Sequence, residues 1–168
     1  MLQREKEDRW APVTLEESTY AQKAMEYFKE GYNCSQAVVA AYADLYGFTH
    51  EQALRMSASF GGGIGRMRKT CGAACGLFML AGLETGSTDG KDSAAKEANY
   101  KLVQQLAEEF RLRNGSITCA ELLGLEKSAP TPATPEARTA EYYKKRPCVK
   151  MVEEAARIWS EYLSNKQG

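Results

Sequence analysis

Apolar residues recur every three or four positions along most of the chain, as they do on the buried faces of amphipathic helices. Strand-like alternation of apolar and polar residues persists nowhere. The helix predicted around residues 71–83 is apolar on most sides, which is typical of a helix at the centre of a bundle. The other predicted helices cover residues 15–30, begin near residues 34, 49, 119 and 148, and include the segment 92–113.

Local signals mark several of these helix ends. Thr14 is a candidate N-cap of the first helix, and Gly31 and Gly47 are placed to end the first and second helices. A Thr followed three residues later by Glu or Gln forms a capping-box pattern at Thr49 and again at Thr118. The third helix is expected to bury Ala53, Met56 and Phe60.

The predicted elements define the fold class. We expect an all-α fold, a single-domain helical bundle of about six to seven helices over residues 1–168. A chain of 168 residues favours one domain and can bury a core without disulfides. Residues 1–13 precede the first predicted helix and are expected to be flexible. Residues 127–137 contain three prolines and are predicted to form an extended linker within the domain.

The charges and the apolar segments exclude several functions. Lys plus Arg and Asp plus Glu number 22 each, so no overall basic field attracts nucleic acid or a membrane surface. The N-terminus lacks the apolar segment of a secretory signal, and no apolar stretch approaches the ~20 residues that span a bilayer. We therefore expect a cytoplasmic protein without membrane insertion. In a reducing cytoplasm, its five cysteines are more readily metal ligands, redox centres or buried residues than structural disulfides.

Four of the five cysteines fall at predicted helix starts. The unpaired N–H groups and the positive dipole end found there stabilise a thiolate, the form that binds metals and attacks disulfides. Basic runs at residues 66–69 and 144–146 precede two of these cysteines and strengthen the effect, unless they are solvated surface. Cysteines are also often buried as small apolar residues, so inert cysteines are the alternative. The four are Cys34, Cys71, Cys119 and Cys148.

The remaining candidate residues carry weaker signals. Cys75 shares a helix face with Cys71 and is a candidate extra ligand, although packing in the core is the favoured interpretation. The chain has no C-x-x-C, which disfavours a thioredoxin-like dithiol, and no C-x-x-C-H, so no covalent haem is expected. The lone His50 is expected on the surface. The glycine run at residues 61–65 is expected to let the backbone turn with positive φ or pass close to a site.

The order of the cysteines resembles that of a known family. Residues 71–76 read Cys-Gly-Ala-Ala-Cys-Gly, which matches Cys-Gly-Ala-x-x-Gly, with Cys34 before the motif and Cys119 and Cys148 after it. Over roughly residues 27–159, the chain resembles a family of redox-active proteins named for the pattern Cys … CGAxxG … Cys … Cys. A similar domain occurs in split-Soret-type cytochromes.

The resemblance implies a small bacterial or archaeal cytosolic protein, often encoded near transporter genes, with no firmly assigned activity. It implies that the four cysteines hold a cofactor, either an iron–sulfur cluster or zinc. A redox partner protein and an association with a transport system are the expected partners.

Three functions stay open at this point. The first is an iron–sulfur or metal site in which four thiolates converge, and we rank it highest. The second is a metal-free thiol–disulfide redox protein, and the third is a helical interaction module with inert buried cysteines. The sequence defines no enzyme reaction and leaves the metal, the substrate and the oligomeric state open. The first function requires the four cysteines to meet at one place in the fold, the second requires two of them to lie close together, and the third predicts that the sulfurs are scattered.

Overall fold

The computed structural model describes residues 19–167, which form eight α-helices and no β-strand. This confirms the all-α prediction. Thr14, residues 1–13 and the predicted first turn at residues 15–18 lie outside the described residues. The helices are α1 Thr19–Lys29, α2 Cys34–Tyr42, α3 His50–Ser57, α4 Gly72–Thr85, α5 Ser93–Asn114, α6 Cys119–Leu122, α7 Ala140–Lys145 and α8 Cys148–Gln167, with 3₁₀ turns at Ala43–Tyr46 and Ala58–Phe60.

Helix α4 is the centre of the bundle. It packs against α2, α5 and α8, while α1 lies across α2 and α8. Seven of its first nine residues are buried, as expected for a helix that is apolar on most sides. The largest fully buried side chains come from the surrounding helices and include Trp159, Tyr42, Phe28 and Phe110. Burial of this apolar surface is the main driving force for the fold.

The capping residues explain where two helices begin. Asn33 caps α2 and Thr49 caps α3, and in each case the side chain three residues later bonds back to the backbone N–H of the cap. The capping box predicted at Thr118 is wrong. Glu121 instead accepts a hydrogen bond from the Ser116 hydroxyl, and Thr118 provides no side-chain cap to α6.

Three further features of the structure bear on the predicted elements. Residues 127–137 contain no helix. Helix α7 was not predicted, because its six residues include two tyrosines and two lysines without an apolar period. Met56 is 40% exposed, so its predicted burial is wrong: α3 packs on the molecule through Ala53 and Ser57, and Met56 lies at the edge of that face.

A buried ion cluster joins α5 to α8. The Arg113 side chain, which is 13% exposed, pairs with Glu109 on its own helix and with Glu154 and Glu161 on α8. The three carboxylates share one guanidinium, and burial raises the pKa of Glu161 even though Arg113 opposes this shift. The cluster fixes the relative positions of these two helices.

Candidate functional site

Four cysteines from distant parts of the chain line one cavity of about 290 Å³. Three of them are the first residues of α2, α6 and α8, and the fourth is the N-cap of α4. The four cysteines that the sequence places at helix starts therefore all line this cavity. These residues are Cys34, Cys71, Cys119 and Cys148.

Backbone pairing brings the segments that carry Cys71 and Cys119 together. An isolated antiparallel bridge joins Thr70 and Thr118. The Cys71 N–H donates to the carbonyl oxygen of Ile117 at 2.7 Å, and the Cys119 N–H donates to that of Lys69 at 2.6 Å. These bonds give two residues separated by almost fifty positions a fixed relative placement at the cavity wall.

The glycine run lines the same cavity with left-handed backbone. Residues 62–66 all have φ between 57° and 72°, including the β-branched Ile64. A left-handed conformation costs roughly 1–2 kcal/mol for a residue with a Cβ, and such strain is common at functional sites. A Cβ on Gly63 would lie 2.5 Å from the Cys119 Cβ. Both functions expected of the run, the turn with positive φ and the close approach, are confirmed.

The glycine that follows Cys71 also permits a close approach. A Cβ on Gly72 would lie 2.8 Å from the carbonyl oxygen of Phe60 and 3.2 Å from the Cys34 Cβ. The N-terminus of α4 can therefore approach Cys34 only because this position lacks a side chain.

Cys34 and Cys148 form an electrostatically coupled pair. The pKa of Cys148 is lowered to about 7, first by a hydrogen bond with the Cys34 thiol, and further by Arg146 and by the Tyr142 hydroxyl, although burial opposes the shift. The same hydrogen bond, together with burial, raises the pKa of Cys34. Both side chains are half-buried and so keep some contact with solvent. The pair therefore combines one readily ionised thiol with one thiol that keeps its proton.

Cys71 and Cys119 behave differently because they are buried. Burial raises the pKa of Cys71 to about 12, although the backbone N–H groups of Ala73 and Ala74 stabilise its thiolate. Burial also raises the pKa of Cys119, although Arg68 donates to its sulfur at 3.7 Å. The general expectation of low pKa values at helix starts is thus wrong for these two thiols, because loss of hydration outweighs the helix dipole. It is also wrong for Cys34, whose pKa is raised first by the hydrogen bond with Cys148 and then by burial.

The basic runs divide between the cavity and the surface. Arg66, Arg68 and Arg146 line the cavity, whereas the three lysines of the two runs are exposed. Sequence reasoning did not identify Arg138 and Tyr142, which also line it. Arg138 donates to the carbonyl oxygens of Phe28 and Tyr32 and stacks on the Phe28 ring. No local pattern marks these residues, because they reach the cavity only after the proline-rich linker folds back.

The proline-rich linker forms one wall of the cavity. Arg66 Nη1 donates to the carbonyl oxygen of Pro132 at 2.7 Å and to that of Thr134. Arg146 Nη2 pairs with the Glu136 carboxylate at 2.5 Å. The two basic runs therefore hold the linker against the cysteines.

The remaining candidates lie away from this arrangement. Cys75 is 7% exposed and does not line the cavity, and its sulfur contacts the carbonyl oxygen of Thr70 at 3.8 Å. His50 is exposed at the start of α3 and contacts the Tyr27 and Tyr32 rings, as expected for a surface residue. Among residues 19–167, no group of three or more His, Cys, Asp or Glu side chains is arranged to hold a metal ion. The same part of the chain contains no helix with the length and apolar character needed to cross a membrane.

These observations define an all-α protein with a four-cysteine cavity in which one thiol pair is coupled. A protein-family model described as "Putative redox-active protein (C_GCAxxG_C_C)" matches residues 32–162, so the chain belongs to that family. The order in the description is Gly-Cys-Ala-x-x-Gly, whereas this chain has Cys71 before Gly72. No curated protein and no solved structure matches the chain.

Proposed function

We propose that the redox activity of this family member is thiol–disulfide chemistry at Cys34 and Cys148. The observation that carries the proposal is that both thiols line the same cavity and are half-buried rather than sealed in the core, with the pKa of Cys148 lowered and that of Cys34 raised. A nucleophilic thiol with a pKa near the ambient pH, beside a thiol of higher pKa, is the arrangement that favours disulfide exchange.

The proposed reaction balances as a two-electron exchange with a disulfide substrate. The Cys148 thiolate attacks one substrate sulfur, the substrate S–S bond breaks, and the first substrate thiolate leaves. Cys34 then loses its proton and attacks the Cys148 sulfur, and the second substrate thiolate leaves. The substrate gains two electrons as two thiols, and the protein retains a Cys34–Cys148 disulfide. A dithiol reductant restores the protein by the reverse exchange.

Two features of the cavity support this order of events. The coupling lowers the pKa of Cys148, while that of Cys34 is raised, so Cys148 is the thiol that ionises first. Once Cys148 is bound in a mixed disulfide, it no longer accepts a hydrogen bond as a thiolate. One cause of the raised Cys34 pKa is then removed, which favours the second attack.

A redox titration tests the proposal. The reduced protein is equilibrated in dithiol–disulfide buffers over a range of potentials, and its free thiols are counted after denaturation. We expect two of the five thiols to be lost in one two-electron transition. Replacing Cys34 or Cys148 with Ala should abolish the transition, whereas Cys75→Ala, outside the cavity, should preserve it. A constant count of free thiols over the physiological range would contradict the proposal.

The second candidate is the iron–sulfur or metal site expected from the sequence. The observation that favours it is that Cys34, Cys71, Cys119 and Cys148 line one cavity. In that function the four sulfurs would hold the metal, and a cluster would supply one-electron transfer. Anaerobic incubation with iron and sulfide, or with zinc, tests it by visible absorption and metal analysis. A colourless, metal-free protein would count against it, and full metal retention by a Cys119→Ala variant would contradict a site that uses all four cysteines as ligands.

The location of the protein in the cytoplasm is also a proposal. A dithiol that cycles needs a compartment with a thiol reductant, and the cytoplasm supplies one. The redox partner protein and the association with a transport system remain predictions. Recovery of a partner trapped as a mixed disulfide on Cys148 in a Cys34→Ala variant would test the first of these.

A further inference from the structure

The cavity that contains the thiols carries an excess of positive charge. Four arginine side chains line it, and Glu136 is the only carboxylate among the described residues of its lining. With the thiols neutral, these side chains give a net charge of three positive. The lone carboxylate pairs with Arg146. Cations gathered in a partly enclosed space favour an anionic occupant.

The four arginines differ in how many of their guanidinium N–H donors already make hydrogen bonds or ion pairs within the protein. Arg138 donates to two carbonyl oxygens, Arg66 Nη1 holds the linker, and Arg146 pairs with Glu136. Among the described residues, the Arg68 side chain makes one hydrogen bond, from Nη1 to the Cys119 sulfur at 3.7 Å, and pairs with no carboxylate. Its guanidinium therefore retains donors for the planar, two-oxygen contact that arginine makes with a carboxylate.

The size and walls of the cavity indicate an organic ligand. A volume of 290 Å³ corresponds to about ten water molecules at ~30 Å³ each, which is more than a bare inorganic ion fills. This volume is close to the lower limit of the ~300–1,000 Å³ range of small-molecule sites. Part of the wall is apolar and suits a short hydrocarbon chain, namely Leu122, Leu123, Ala133, Pro135 and Met151.

We infer that the cavity binds a small organic molecule by its carboxylate, with Arg68 as the principal contact. The inference deepens the proposed function and rests on it in one respect, that the natural ligand is the disulfide substrate. That substrate is then a low-molecular-weight disulfide bearing carboxylates. Its acidic end lies against Arg68, its chain lies along the apolar wall, and its sulfur reaches Cys148.

A binding experiment tests the carboxylate site without redox chemistry. Suberate, an eight-carbon dicarboxylate without sulfur, is titrated into the reduced protein in a calorimeter, and 1,8-octanediol serves as the uncharged control. We expect suberate to bind at least about tenfold more tightly than the diol, with an affinity that falls as salt rises. Equal binding of the two compounds, or no binding of suberate, would overturn the inference.

Variants of Arg68 test whether this residue is the contact of the ligand carboxylate. Arg68→Gln should weaken suberate binding about tenfold, and Arg68→Lys, which keeps the charge, should recover part of the loss. Arg55→Gln is the matched control, because Arg55 is an exposed arginine of α3 paired with Glu51. Urea unfolding verifies that each variant is folded; if Arg68→Gln is not, the comparison of ligands and salts on the unchanged protein decides. Unchanged binding by folded Arg68→Gln would overturn the role of Arg68.

A kinetic experiment links the site to the thiols. The reduced protein is oxidised with 3,3′-dithiodipropionate, bis(2-hydroxyethyl) disulfide or cystamine, which are anionic, neutral and cationic disulfides of similar length. Each rate is divided by the rate at which the same disulfide oxidises dithiothreitol. We expect the anionic disulfide to react about tenfold faster than the neutral one, and the cationic one to react slowest. Arg68→Gln should remove the advantage of the anionic disulfide alone.

The two proposals fail in different ways. If no disulfide oxidises the protein while suberate binds through Arg68, the thiol–disulfide function is wrong and the carboxylate site stands. If all three disulfides react at equal normalised rates, the function stands and the inference is overturned. If Arg68→Gln slows all three reactions equally, the arginine serves the protein's own thiolates and the inference is likewise overturned.

Discussion

Replacement of Cys34 by Ala should raise the pKa of Cys148, because the hydrogen bond with Cys34 is the largest cause of its lowered value. A hydrogen bond to a charged group contributes about 1.5–3 kcal/mol, and a thiol is a weak donor, so the lower end of this range applies. Since one pKa unit corresponds to ~1.4 kcal/mol, the pKa should rise from about 7 to roughly 8.

The shift changes the amount of nucleophile at neutral pH. With a pKa of about 7, half of Cys148 is thiolate at pH 7; with a pKa of roughly 8, about one-tenth is. Since the thiolate is the reactive form, but a thiolate of higher pKa is intrinsically more nucleophilic, alkylation of Cys148 at pH 7 should slow about two- to fivefold in Cys34→Ala. The assay is the rate of iodoacetamide labelling between about pH 5 and pH 10, read by mass spectrometry on the tryptic peptide that spans residues 146–150.

The control for this variant is Cys34→Ser, which retains a hydroxyl donor at the same place. It should keep the apparent pKa of Cys148 closer to that of the unchanged protein. Two results would refute the reasoning. The first is a labelling profile of Cys34→Ala that coincides with the unchanged protein. The second is a shift in Cys34→Ser as large as that in Cys34→Ala.

Two further predictions concern packing and buried charge. Gly72→Ala should lower the free energy of unfolding by about 1–3 kcal/mol, because its Cβ would lie 2.8 Å from the Phe60 carbonyl oxygen. Gly82→Ala, on the same helix with nothing within 4 Å, should raise it by about 0.5–1 kcal/mol; urea unfolding under reducing conditions measures both. Arg113→Met should lower it by about 3–5 kcal/mol at pH 7 by leaving buried carboxylates unpaired. Burial already raises the pKa of Glu161, so folding favours the protonated form of this residue. The loss of stability in Arg113→Met should therefore be smaller at pH 5 than at pH 7. An equal loss at both pH values would contradict this reasoning.

Much of the fold could be predicted because its signals are local. Helical periodicity and capping patterns placed the starts of α2, α3, α4, α5 and α8 within a residue or two. The cysteines of the site could also be identified from the sequence, because they occur at helix starts and in an order specific to the family. A single cysteine at a helix start would have indicated nothing, whereas the ordered set of four predicted that they meet at one site.

The rest of the site depends on contacts between distant segments. Whether Cys71 has a low or a high pKa depends on its burial, which the sequence around it does not show. Arg138 and Tyr142 reach the thiols only because the linker is held in place by Arg66 and Arg146. The left-handed backbone at Ile64 likewise depends on hydrogen bonds within the loop, since the residue itself disfavours it.

The central claim is that Cys34 and Cys148 form the disulfide when the protein is oxidised. Trypsin separates the relevant cysteines, since the peptides spanning residues 30–55, 70–91, 114–127 and 146–150 contain Cys34, the Cys71 and Cys75 pair, Cys119 and Cys148, respectively. Mild oxidation, alkylation of the remaining thiols and digestion should therefore yield a linked species of the first and last peptides. A linkage of any other two peptides as the main product, or five alkylated cysteines after oxidation, would contradict the account.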